Sequence, residues 1–171
     1  HAAGLREIEV GSFVPARLLP QLADTAELVS EALQLPGLVV SVLVPNLKGA
    51  QHALDSGAHA MLLPLSASHA HSLANLRKTP DEVVAEIAAI RAARDASGSR
   101  CLLEVGMSTA FGCTIQGRVD PAEVLRLVQA VLDAGADRVG LADTVGYADP
   151  QQVASLFEQG DPSDAFYVLK S

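Results

Sequence analysis

Tryptophan is absent, and aromatic residues fill only 4% of the 171 positions. A core of stacked rings is thereby excluded, and Ala, Leu, Val and Ile must fill it instead. Cysteine is nearly absent too. Cys101 and Cys113 make neither a disulfide framework nor a zinc-ligand spacing. A reduced, cytoplasmic chain is the expectation. Basic charge is in deficit: 12 Lys+Arg face 20 Asp+Glu, a net charge of −8. Nucleic acid is therefore no expected partner, since it demands a basic footprint. No apolar run reaches the roughly 18–20 residues of a membrane span, so no membrane partner is expected either. The opening His1-Ala2-Ala3-Gly4 has no basic stretch leading into an apolar one, so no signal peptide is read. No glycine-rich phosphate loop follows the first apolar run, which argues against an open nucleotide-binding sheet.

What is present is alternation. Hydrophobic residues are 49% and charged ones 19%, a globular mixture. Short Val- and Leu-rich runs alternate with longer helix-period segments. Strands are predicted at residues 7–14, 38–44, 60–65, 100–107 and 138–142. The run 38–44 is apolar almost throughout, which suits a strand covered on both faces. Helices are predicted at residues 17–35, 47–56, 80–96, 121–134 and from Pro150 to about Phe157. Asn46 is placed to cap the second and Gly57 to close it. Thr79-Pro80, Asp120-Pro121 and Asp149-Pro150 repeat one signature, a capping side chain followed by Pro at the first helical position.

Strand–helix repeats dictate a parallel α/β sheet, because each right-handed crossover returns the chain in the same direction. Polar residues collect where the strands end: Glu9 and Ser12, Ser66 and Ser68, Ser108, Asp143 and Thr144. Barrels and open α/β sheets both place their sites at that end. About five βα units are visible, whereas a closed barrel needs eight in about 250 residues. Periodicity leaves an open sheet and a part of a barrel as alternatives.

Five stretches carry a resemblance. They are IEVGSFVPARLLPQLADTAELV (8–29), SVLVPNLKGAQHAL (41–54), LSASHAHSLANLRKTPDE (65–82), STAFGCTIQGRVDPAEVLRL (108–127) and GADRVGLADTVGYADPQQV (135–153). In order and spacing they resemble the 3-hydroxy-3-methylglutaryl-CoA lyase family. The resemblance covers residues 1 to about 157. It implies a TIM-type (β/α)8 barrel, here incomplete, with only units two to six of the eight. It implies a carbon–carbon lyase that cleaves 3-hydroxy-3-methylglutaryl-CoA to acetyl-CoA and acetoacetate. A related acyl-CoA lyase or aldolase is the neighbouring reading, and a homo-oligomer is the family's usual state. A divalent cation, Mg2+ or Mn2+, is also implied.

The resemblance assigns roles residue by residue. Glu9 matches the carboxylate that orients a catalytic arginine, and Asp143 matches an active-site aspartate. Cys113 matches a position lining the pocket. Ser12, Ser66, Ser68, Ser108 and Thr144 sit at matching strand ends and are expected to contact substrate. Each has a plainer alternative: Glu9 as the ion-pair partner of Arg6 or Arg138, the serines as satisfiers of local backbone groups, Cys113 as a small filler. Lys48, Arg77 and Lys78 follow strand ends and are candidates for CoA phosphates. His69 and His71 stand at i, i+2 and diverge on a helix, so they are expected to face solvent rather than a metal. The family's Arg-Asp pair, His-x-His pair and final asparagine have no counterpart here. No metal ligand is therefore expected in this chain, and the 171 residues alone are expected to be inactive.

Residues 1–157 thus read as one lyase-type domain and residues 158–171 as a tail outside the family pattern. LFEQGDPSDAFYVLKS (156–171) resembles the opening hairpin of a cyclic-nucleotide-binding domain, with a turn at Gly160-Asp161-Pro162-Ser163-Asp164 and a strand at 165–169. Such a chain would be a barrel part fused to a regulatory module. A barrel part exposes strand edges and apolar surface, which drive association. The isolated 171-residue chain is therefore expected to self-associate. Light scattering on the purified chain tests this, and a monodisperse monomer with one cooperative melt contradicts it.

Overall fold

Valine- and leucine-rich runs set the strands, and helices follow the first five of them in the computed structural model, which describes residues 4–160 and 167–170. The elements are β1 (Glu7–Ser12), a 3-10 turn (Pro20–Leu22), α1 (Thr25–Ala32), β2 (Val39–Leu43), α2 (Leu47–Ser56), β3 (Ala60–Ser66), α3 (His69–Leu76), α4 (Pro80–Ser97), β4 (Leu102–Ser108), α5 (Pro121–Asp133), β5 (Arg138–Ala142), α6 (Pro150–Gln159) and β6 (Tyr167–Lys170). Two units divide the chain: His1–Leu63 with Ala89–Leu103, and Pro64–Ala88 with Glu104–Ser171.

In the first unit β1, β2 and β3 run parallel, with Ile8 opposite Val40 and Val42 opposite Met61. Val40, Val42, Val44 and Met61 are fully buried. Their neighbours Val39, Ser41 and Leu43 are exposed or half-buried. The second strand therefore has one fully buried face, not the two that its apolar run led us to expect. Asn46 caps α2 by accepting from the Gly49 amide at 3.0 Å, and Gly57 closes it at φ +78°. Only glycine takes that left-handed turn without a Cβ penalty.

The helix predicted over 17–35 is shorter in the structure. Pro20 has no amide proton to donate, and the chain forms only a 3-10 turn there before α1 begins at Thr25. The expected apolar stripe is correspondingly lost: Leu18 and Leu28 lie exposed, and Val29 is buried.

In the second unit β4, β5 and β6 are parallel, with Val105 opposite Val139 and Leu141 opposite Leu169. The end of β3 joins β4 through the Ala67 amide, which donates to the Ser108 carbonyl at 2.9 Å. Helix α5 buries Val124, Leu127, Val128 and Val131, the i, i+3, i+4, i+7 face of one helix. Each such side chain contributes about 1.5–3 kcal/mol by leaving water. Asp120 caps α5 at the Ala122 amide, and Asp149 and Gln152 form a reciprocal capping box at α6. Helix α3 was not anticipated, because it has few apolar positions to mark a period. Its N-cap is Ser68, whose hydroxyl accepts from the His71 amide at 3.2 Å. Tyr167–Lys170 makes a strand beside β5. The turn residues Asp161, Pro162, Ser163 and Asp164 lie outside the described residues.

Candidate functional site

The strand-end serines of the second unit converge into one hydrogen-bond network. Ser66 ends β3 and is 1% exposed. Its Oγ lies 2.7 Å from His71 Nδ1 and 2.8 Å from Ser108 Oγ, at the end of β4. Ser108 Oγ donates to the Leu65 carbonyl at 3.1 Å. Two residues on, Ser68 is fully buried. Its hydroxyl donates to Gln116 Oε1 at 3.0 Å, and its amide donates to Thr109 Oγ1 at 3.0 Å.

Thr109 is the hinge of this network. It has φ +58° and no exposed surface. A β-branched residue in the left-handed region costs on the order of 1–3 kcal/mol and persists only where its surroundings enforce it. Here its amide donates to Thr144 Oγ1 at 2.8 Å, and its hydroxyl donates to the Ser108 carbonyl at 2.6 Å. Thr144, just past β5, is thus joined to the end of β4.

The loop after β4 folds back on itself. Cys113 and Gly117 exchange backbone hydrogen bonds of 2.9 and 2.8 Å. The buried Cys113 sulfur accepts from the amides of Ile115 (3.3 Å) and Gln116 (3.4 Å). Burial opposes the thiolate. The Ser68 hydroxyl and the Gln116 and Ile115 amides outweigh it and hold the thiol below its ordinary range. Gln116 also accepts from the Ala70 amide at 3.2 Å, tying this loop to the first turn of α3.

Ser68→Ala is expected to cost about 1 kcal/mol through the lost cap. A thermal melt reads the loss, and an unmoved midpoint contradicts the cap.

Asp143 follows β5 and is half-buried. Its two carboxylate oxygens accept from the Tyr147 amide at 3.0 Å and the Ala148 amide at 3.1 Å. The carboxylate therefore shapes its own loop, and each oxygen keeps a further lone pair for a ligand.

Glu9 and Ser12 belong to the first unit. Glu9 is exposed on β1, opposite Ser41. Ser12 is buried. Its amide donates to Thr25 Oγ1 at 3.2 Å, and its hydroxyl accepts from the Val14 amide at 3.3 Å. A cavity of about 290 Å³ opens beside it, lined by Ser12, Phe13, Asn46, Lys48 and His52 among others. A second cavity, about 460 Å³, lies within the second unit between the loop after β4 and α6, with Arg118, Asp149 and Gln152 on its wall.

Sequence reasoning missed Thr109, Gln116 and His71. His71 was expected to face solvent. It is half-buried with its ring on Ser66, whereas His69 is exposed. The SxSxxH spacing of Ser66, Ser68 and His71 is the signal available, because a first-turn helix residue lies over the strand end that precedes the helix. Of the basic candidates, Lys48 lines its cavity, Arg77 closes α3 at φ +57°, and Lys78 is engaged by Glu86.

Among the described residues no three His, Cys, Asp or Glu side chains converge. The oxygens of Asp143, the sulfur of Cys113 and Nδ1 of His71 each face an amide or hydroxyl partner. Asp143 is the one carboxylate among them, and a single carboxylate does not make up the oxygen shell of a divalent cation. No helix of the described residues is long and apolar enough to cross a membrane.

The hydroxymethylglutaryl-CoA lyase of Bacillus subtilis is 31% identical over 155 residues, covering 91% of this chain and 51% of the relative. The (R)-citramalyl-CoA lyase of Chloroflexus aurantiacus is 34% identical over 165 residues, with the same two shares. The crystal structure of the Bacillus subtilis HMG-CoA lyase superposes with a TM-score of 0.88 at 28% identity, over 97% of this chain and 56% of that one. An HMG-CoA lyase from Acinetobacter baumannii, solved with coenzyme A and 3-methylmalate, gives 0.83 at 32% identity, over 95% and 53%. The chain spans about half the length of these relatives. Its α/β fold is that of part of a TIM-type lyase barrel. Residues 1–160 match the HMGL-like family model, and the chain belongs to that family.

Proposed function

We propose that this chain supplies the substrate-facing strand ends of a hydroxymethylglutaryl-CoA lyase-type enzyme. The carrying observation is the Ser66–Ser68–Ser108–Thr109–Thr144 network at the C-terminal ends of β3, β4 and β5 in a member of this family. Parallel α/β barrels place their chemistry at that end.

The reaction in this reading breaks the bond between C2 and the tertiary C3 of the acyl chain. The tertiary hydroxyl gives up its proton, C3 becomes a ketone, and acetyl-CoA leaves as its enolate, which is then protonated. Asp143 takes the hydrogen bond of that hydroxyl with its remaining lone pairs. Glu9 orients a cationic partner in the first unit, and in the second unit the exposed Thr144 meets the acyl chain, with Ser66 and Ser108 behind it. Cys113 lines the pocket. Lys48, beside an open cavity, meets an acyl-CoA phosphate. The family's divalent cation, Mg2+ or Mn2+, would be held outside this donor set. The setting in this reading is the cytoplasm.

One relative favours a second substrate. The Chloroflexus protein is named for (R)-citramalyl-CoA, at an identity no lower than that of the hydroxymethylglutaryl enzyme. The test is turnover of both thioesters by the protein as the cell makes it, with Mg2+ or Mn2+ supplied. Acetoacetate from hydroxymethylglutaryl-CoA is the expected result. Turnover of citramalyl-CoA alone moves the assignment within the family, and turnover of neither overturns it.

A further inference from the structure

The hydrogen bonds at the end of β3 carry a direction. The Leu65 carbonyl can only accept, so the 3.1 Å contact from Ser108 Oγ uses the one proton of Ser108. Ser108 Oγ must then accept at its 2.8 Å contact with Ser66 Oγ, which uses the one proton of Ser66. Ser66 Oγ must in turn accept at its 2.7 Å contact with His71. The ring nitrogen there, Nδ1, is left as the donor. The chain of protons therefore runs from His71 through Ser66 and Ser108 to the Leu65 carbonyl.

Two consequences follow. Ser66 is not a nucleophile activated by His71, because that would need the opposite proton direction. In the neutral ring, Nε2 carries the lone pair. Among the described residues Nε2 meets no hydrogen-bond partner, and the half-buried ring is locked from its other side. The first turn of α3 follows β3 directly, so this acceptor sits at the strand end where the proposed site lies.

We propose that Ser66 and Ser108 are positioning residues that hold His71 as its Nδ1–H tautomer, and that Nε2 is thereby a fixed acceptor for a hydroxyl or amide N–H of a bound ligand. The tautomer stands on the geometry alone. The ligand, an acyl-CoA, rests on the functional reading above.

The experiment is long-range proton–nitrogen NMR of the imidazole at a pH where the ring is neutral. The expected result is a protonated Nδ1 and an unprotonated Nε2. An Nε2–H ring in the unaltered protein overturns the proposal without any variant being made. Ser108→Ala gives the sharper test. Ser108 does not touch the ring, yet its loss frees the Ser66 proton to turn toward Nδ1, and the ring is expected to switch to Nε2–H. A melt and the methyl spectrum confirm that this variant folds. A folded variant that keeps Nδ1–H overturns the relay.

Coenzyme A is then added as the probe. A shift of the unprotonated Nε2 resonance is expected. Coenzyme A that binds by calorimetry without moving Nε2 overturns the acceptor role. Coenzyme A that does not bind overturns the acyl-CoA reading instead.

Discussion

Replacing Asp143 by Asn is expected to lower turnover of hydroxymethylglutaryl-CoA by about 100-fold or more, the scale of a lost acid–base partner. Asp143 accepts from two amides, Tyr147 at 3.0 Å and Ala148 at 3.1 Å. Asn keeps one acceptor oxygen and turns an NH2 toward the second amide. Donor then faces donor, and one backbone group loses its partner, at a cost of about 1–3 kcal/mol. The isosteric change also removes the charge that would take the substrate hydroxyl's hydrogen bond. Both effects are measurable: kcat and KM on one hand, and the denaturation midpoint on the other. Undiminished turnover removes Asp143 from the mechanism. Turnover that falls only as far as the folded fraction falls reduces Asp143 to a loop-former.

The fold was legible where the sequence obeys a period or a cap. The strand at Arg138–Ala142 and the helix at Leu47–Ser56 stand where they were expected. Asn46, Asp120 and Asp149 cap the helices that follow them, because a short side-chain acceptor before a helix has few other uses for its lone pairs. The helix expected over 17–35 failed at Pro20, a residue whose missing donor outweighed a good apolar spacing. Helix α3 was illegible because it buries only Ser72 and so carries no apolar face to read.

The candidate site was legible by position and not by bonding. Ser66, Ser68, Ser108 and Thr144 were marked as polar strand ends, and the structure joins all four through Thr109 and His71. Thr109 leaves no trace in a single sequence, because its left-handed backbone is enforced by tertiary partners and not by its own type. His71 was read by its i, i+2 relation to His69. The relation that matters is to the preceding strand end, which a metal-ligand search ignores.

Gly112→Ala is expected to destabilise the second unit by about 1–3 kcal/mol, the range of backbone strain at a special conformation. Gly112 has φ +149°, where an L side chain is strained whatever the space around it. Space is also lacking. A Cβ there would lie 2.7 Å from Tyr147 Cδ2 and 3.3 Å from Tyr147 Cβ. The ring tip of Tyr147 is exposed and can swing, but its Cβ moves only with the backbone. That backbone is the segment whose amide holds the Asp143 carboxylate. The substitution therefore presses on the Asp143 loop from outside without altering the carboxylate itself. A denaturation midpoint reads the strain, and turnover of the folded protein reads its transmission. If Asp143 acts chemically, Gly112→Ala retains most of its turnover while Asp143→Asn does not. Equal losses in the two variants, at equal folded fraction, would mean that loop shape and not the carboxylate sets the rate.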